Sequence, residues 1–108
     1  MVTIEDFNKL DIRIGRVLSV EKIQGADRLL KFTFDVGDES RDIVAGMAEY
    51  FSDLDLLKGK EMPLLLNIEP RKLRGHMSQG MILAADDADG KPVLLHPERE
   101  VAPGSTVR

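Results

Sequence analysis

Leu30, Phe32, Phe34 and Val36 are apolar, and Lys31, Thr33 and Asp35 between them are polar. A period of two marks a strand with one buried face, because successive side chains leave a strand on opposite sides. On a helix the same residues would scatter around the circumference and bury nothing together. Other segments repeat the pattern. Ile12, Ile14, Leu18 and Val20 share one parity, with Arg13, Gly15 and Ser19 on the other. Arg16 breaks the alternation beside Gly15, which points to a bulge or a close backbone approach there. Residues 42–46 form a short third strand after the turn Gly37-Asp38-Glu39-Ser40. Residues 62–68 are apolar nearly throughout, as in a strand covered on both faces, with Pro63 at the start and Asn67-Ile68-Glu69-Pro70 at the end. Residues 81–85 and 93–96 are further strands around a hairpin-type turn at 86–92.

Helix is scarce. Thr3 is placed to cap a turn, with Asp6 three residues on and Phe7 and Leu10 sharing a face. Residues 47–57 read as irregular or briefly helical, and residues 71–80 as a loop or a single helical turn. Five or more short strands with little helix in 108 residues favour an all-β fold over α/β. The small closed form that fits is a five-stranded oligonucleotide-binding (OB) barrel. It has short helical turns and a C-terminal strand-and-turn extension, with residues 1–108 as a single domain.

Composition removes several kinds of chemistry. There is no cysteine, so no disulfide framework, zinc knuckle or thiol nucleophile. His76 and His96 lack the spacing of a metal pair. Ser78 stands two residues from His76, but no orienting carboxylate adjoins them and no serine sits in a nucleophile elbow. Residues 86–90 hold three aspartates without the distal Glu or ligand spacing of a calcium loop, and read as an exposed hairpin. No glycine-rich phosphate loop is present. A catalytic role, a cofactor and a metal are therefore not expected. No apolar run is long enough for a membrane span, and the N-terminus does not read as a signal peptide, which places the chain in the cytoplasm.

The formal charge of −4 conceals a segregation. Residues 9–31 hold six cations against three acids, and residues 58–76 hold five against two. Residues 35–55 carry seven acids and only Arg41. If folding joins the basic stretches, an acidic chain still presents a cationic face. Residues 67–81, Asn-Ile-Glu-Pro-Arg-Lys-Leu-Arg-Gly-His-Met-Ser-Gln-Gly-Met, concentrate an amide, three arginines or lysines, a hydroxyl and two glycines in one connection. Cations there neutralise phosphates, and the amide and hydroxyl reach sugars and base edges. Leu73 serves as an anchor for the loop. Met81 either lies against a base or opens a core strand. A stacking platform of aromatics is missing, since Phe32 and Phe34 belong to the core face and only Tyr50 and Phe51 are left for the surface. Recognition by phosphate geometry and 2′-hydroxyls, as for structured RNA, follows.

The chain resembles the tRNA-binding domain family, which includes stand-alone dimeric proteins and the C-terminal domain or beta subunit of methionyl-tRNA synthetases. The resemblance rests on residues 11–17, Asp-Ile-Arg-Ile-Gly-Arg-Val, on residues 25–29, Gly-Ala-Asp-Arg-Leu, on Val44-Ala45-Gly46, and above all on residues 67–81. It implies an OB barrel that grips tRNA near its outer corner, by shape and without choosing an anticodon. It acts as a non-catalytic accessory module or subunit of a synthetase, most readily the methionyl enzyme. By the resemblance Asn67, Arg71, Lys72, Ser78 and Met81 fall at signature positions implicated in tRNA contact. Arg28 and Lys31 are added from the neighbouring basic strand, and Arg74, at a variable position, on charge alone. A homodimer is implied, with the tail and the N-terminal region at its interface. The alternative is a peptide-binding OB domain like a secretion-chaperone branch of the same fold.

Overall fold

The computed structural model describes residues 1–108 throughout. The chain opens with α1 (Ile4–Phe7), then β1 (Ile12–Ile23), β2 (Ala26–Asp35) and β3 (Ser40–Ala45). Two 3-10 turns, Ala48–Tyr50 and Leu54–Leu57, lead to β4 (Glu61–Leu65). The rest is short strands: β5 (Arg71–Leu73), β6 (His76–Ser78), β7 (Met81–Ile82), β8 (Ala84–Asp86) and β9 (Pro92–Leu94).

Five strands form one antiparallel sheet in the order β3-β2-β1-β4-β7. The long β1 organises it, pairing with β4 along Ile12–Arg16 and with β2 along Arg16–Ile23. The sheet coils until its edges meet. There the Gln79 amide donates to the Asp42 carbonyl at 2.8 Å, and Arg41 Nη1 donates to the Leu66 carbonyl at 2.7 Å. Inside, the alternating strand behaves as its sequence requires. Leu30, Phe32, Phe34 and Val36 are at most 1% exposed and pack with Val17, Ile43, Met62 and Leu64. Each such side chain contributes about 1.5–3 kcal/mol by leaving water, so β2 is the main source of cohesion.

Gly15 is the expected close approach. A Cβ on it would press on Leu64 Cδ1 and lie 3.2 Å from Phe34 Cδ1, so any side chain there would force both core residues to shift. The bulge comes later than the broken alternation suggests. Register slips between Val17 and Ser19, which turns Val17 into the core and leaves Leu18 half exposed. Leu18 therefore departs from the parity it shares with Ile12 and Ile14. The cause is that β1 exchanges one partner for another along its length, and the added residue takes up the twist.

After the β8–β9 hairpin the tail returns to β1. The Ile14 amide donates to the Ser105 carbonyl at 2.9 Å, and the Gly104 and Val107 amides donate back to the Ile14 and Ile12 carbonyls. The tail occupies the stretch of β1 edge that β2 leaves unpaired before Arg16. Glu61, nearly buried, accepts from the Val101 amide at 2.9 Å and faces Arg16, which also pairs with Glu100 at 2.7 Å.

At the other end, the Thr3 hydroxyl and the Asp6 carboxylate complete a reciprocal capping box. The bond from the Thr3 amide, followed by the Thr3 side chain and Lys9, lowers the Asp6 pKa below its ordinary 3.8. A depressed carboxylate supports the folded turn above its unfolded value and ceases to as pH falls through the folded one. The turn at residues 4–7 is thus expected to fray below about pH 4, before the β-sheet melts. Amide and Asp6 carboxyl NMR shifts followed from pH 6 to pH 2 check this, and a normal Asp6 titration would refute it.

Candidate nucleic-acid interface

The segment expected as a loop or helical turn is a β-hairpin. β5 and β6 pair in the register Arg71–Ser78, Lys72–Met77 and Leu73–His76, leaving Arg74 and Gly75 as a two-residue turn. Arg74 has φ +50° and Gly75 φ +82°, the type I′ geometry whose twist matches flanking strands. The expectation missed it because Arg is not a residue that this turn favours. No other non-glycine residue in the chain has a positive φ. Holding Arg74 there costs about 1 kcal/mol, and the hairpin's anchors impose it.

Those anchors lie on the inward face. Leu73 packs against Ile23, Ala26 and Val44, as its anchor role requires. The Ser78 hydroxyl accepts from the Val44 amide at 3.0 Å and donates to the Gly80 carbonyl at 3.2 Å, with Ser78 only 2% exposed. On the outward face Lys72 and Met77 form a cross-strand pair, and Met77 is half exposed. Met81, 37% exposed, opens β7 beside the hairpin's exit.

The residues named from the sequence fall into three groups. Arg28, Arg71, Lys72 and Arg74 are exposed, and no carboxylate lies within ion-pair reach of any of them. Lys31 sits between Glu21 at 4.0 Å and Asp42 at 3.7 Å, so its charge is largely compensated. Asn67 and Ser78 are occupied within the chain. Asn67 Oδ1 accepts from the Asp11 amide at 2.7 Å, while its Nδ2 donates to the Lys9 carbonyl at 2.7 Å. These two side chains brace the region: Asn67 holds the N-terminal segment to the end of β4, and Ser78 seats the hairpin.

Charge segregation in sequence becomes segregation in space through pairing. Arg13, Arg16 and Arg41 from the rest of the chain are matched by acids, whereas Lys22, Lys60, Lys91 and Arg108, like the hairpin cations, are not. Asp11, bonded to the Arg13 guanidinium at 2.9 Å, raises that group's pKa above its ordinary range. Arg28 and Arg74 line one cleft where the hairpin tip meets the β1–β2 turn, and Arg71 and Lys72 lie along β5 of the same hairpin. Sequence reasoning missed Arg41 as the clasp between sheet edges. Its signal was a lone arginine among seven acids. It also missed an apolar groove lined by Tyr50, Phe51, Leu56, Pro92, Val93 and Leu94, assembled from distant segments.

A coiled five-stranded antiparallel sheet with joined edges, bearing a cationic hairpin between the fourth and fifth strands of that sheet, defines an OB-like binding domain. The chain belongs to the tRNA-binding domain family: residues 12–106 match the family described as "Putative tRNA binding domain". It is 53% identical over 106 residues to the methionine–tRNA ligase of Archaeoglobus fulgidus, and 47% identical to that of Parabacteroides distasonis. It aligns over 98–99% of its own length but spans only 16% of theirs. Among solved structures it matches a MetRS-related protein from Pyrococcus horikoshii with TM-score 0.93 and 34% identity, covering 100% of this chain and 98% of that one. The chaperone CsaA of Bacillus anthracis matches with TM-score 0.89 and 26% identity, covering 100% and 99%.

Proposed function

We propose that this chain binds tRNA by shape, without reading an anticodon, as a non-catalytic module or subunit of an aminoacyl-tRNA synthetase, the methionyl enzyme first. The observation that carries this is the group of four exposed, uncompensated cations on the β5–β6 hairpin and the adjacent turn. None of the four has an acid of the chain within ion-pair reach, which leaves them free to meet a polyanion. The acidic remainder discourages nonspecific polyanion binding. Phe32 and Phe34 are buried, Tyr50 and Phe51 lie in the separate groove, and Phe7 is half-buried on α1, so no aromatic platform adjoins the hairpin, which fits backbone recognition better than base stacking. The identities to methionine–tRNA ligases support the choice of synthetase.

Pairing of two copies is part of the same reading. The half-exposed Leu10 by the N-terminal segment and Val93 and Leu95 at the tail hairpin support it. Sedimentation equilibrium should give twice the 12.0 kDa chain mass. The peptide-binding alternative has its own observation in the apolar groove and in the likeness to CsaA. Both are tested together by titrating the protein with unfractionated tRNA at rising salt, with an unfolded polypeptide as competitor. Binding whose log–log salt slope lies near −0.7 to −0.9 per phosphate, and which the polypeptide leaves intact, supports tRNA. Displacement by the polypeptide, with a flat slope, supports the alternative.

A further inference from the structure

The geometry points to a single-phosphate clamp formed by Arg28 and Arg74, a contact distinct from that of Arg71 and Lys72. The inference rests on the tRNA reading and deepens it.

Arg28 stands near the start of β2, and Arg74 is the first residue of the hairpin turn. The two come from elements far apart in sequence. Leu73 brings them together by docking on Ile23 and Ala26, which flank the β1–β2 turn. Together with Gly25, Ala26, Asp27 and Leu29 they line one open cleft of about 410 Å³. Neither guanidinium has an acid within ion-pair reach, although Asp27 lines the same cleft. The backbone at the mouth is bare, for a Cβ on Gly25 or Gly75 would meet nothing within 4 Å.

Two planar guanidinium forks lining one cleft suit one tetrahedral oxyanion, each fork able to take oxygens at fixed geometry. The neighbouring Asp27 carboxylate disfavours a dianion. It therefore selects a singly charged phosphodiester of an RNA backbone over a free or terminal phosphate. Arg74 is held at positive φ where glycine or asparagine would be easier, and strain of this kind persists where a side chain is needed at that point. Its long, always-charged side chain lines the cleft together with Arg28.

The test is a double-mutant cycle with Arg28→Ala and Arg74→Gly, read by unfractionated tRNA binding between 50 and 300 mM salt. Glycine keeps the type I′ turn, so Arg74→Gly removes the charge without removing the hairpin, and its melting temperature should not fall. Each single variant should lose about 10-fold in affinity, and the double variant scarcely more than either single, because either loss already opens the clamp. All three should show the same reduction in salt slope, about 0.7–0.9 for one phosphate. Losses that multiply, or a slope reduction in the double variant twice that of each single, mean two separate phosphates and overturn the clamp. So does unchanged affinity in either single variant. Inorganic phosphate that competes at low millimolar concentration would overturn the selection of a diester. Failure of the unsubstituted protein to bind tRNA would instead overturn the parent reading, whereas sensitivity only to Arg71 and Lys72 would leave that reading standing without the clamp.

Discussion

Replacing Arg71 and Lys72 together with alanine is expected to lower tRNA affinity by about 10- to 100-fold near 0.1 M salt, and to flatten the salt slope by roughly one per cation removed. Both side chains are exposed, and neither takes part in a hydrogen bond or ion pair of the fold. Lys72 projects from the hairpin face opposite Leu73 and Ser78, and Arg71, although directly across from Ser78, is exposed and not its hydrogen-bond partner, so removing both leaves the anchors' contacts in place. The melting temperature should therefore hold within a degree or two while binding falls. The measurement pairs a salt-dependent anisotropy titration with thermal unfolding of the same variant. Unaltered affinity and slope would remove the hairpin from the interface.

Ser78→Ala should behave in the opposite manner. Its hydroxyl is the acceptor for the Val44 amide and a donor to the Gly80 carbonyl, in a site 2% exposed. Alanine leaves a buried amide without a partner, which costs about 1–3 kcal/mol. For a domain of this size that is a fall of roughly 4–8 °C in melting temperature per kcal/mol. Weakened tRNA binding should follow from a loosened hairpin, and it should recover on cooling well below the new transition. Ser78 would instead touch tRNA itself if affinity fell at all temperatures with the melting temperature unmoved. The two substitutions would thus separate residues that face tRNA from residues that seat the hairpin, a distinction the signature pattern does not draw.

Much of the fold can be read without coordinates, because side-chain alternation is a local consequence of strand geometry. The run from Leu30 to Val36 names its own buried face, and Gly15 marks a close approach before Leu64 is known to be the neighbour. Thr3 and Asp6 announce their cap in the same way. The hairpin at residues 71–78 is harder to see. A three-residue strand has too few positions to show a period, and Arg74 does not advertise a type I′ turn. Leu18 misleads for a related reason, since a bulge shifts parity by one and only the change of strand partner causes it.

Signature residues are recognisable together, but their separate tasks are not. Asn67, Ser78 and Lys31 carry groups able to meet RNA, and in sequence they look no different from Arg71, Lys72, Arg28 and Arg74. Hydrogen bonds and ion pairs to distant residues distinguish their places in the fold. Asn67 is taken up by Lys9 and Asp11, Ser78 by Val44 and Gly80, and Lys31 by Glu21 and Asp42. The sequence by itself determined the strand content, the family signature and the supply of cations in residues 67–81. Only the tertiary structure decided which cations stay unmatched and that Arg28 and Arg74 line one cleft. Periodicity and turn chemistry act between near neighbours along the chain, whereas charge compensation depends on which remote side chains folding brings within a few ångströms.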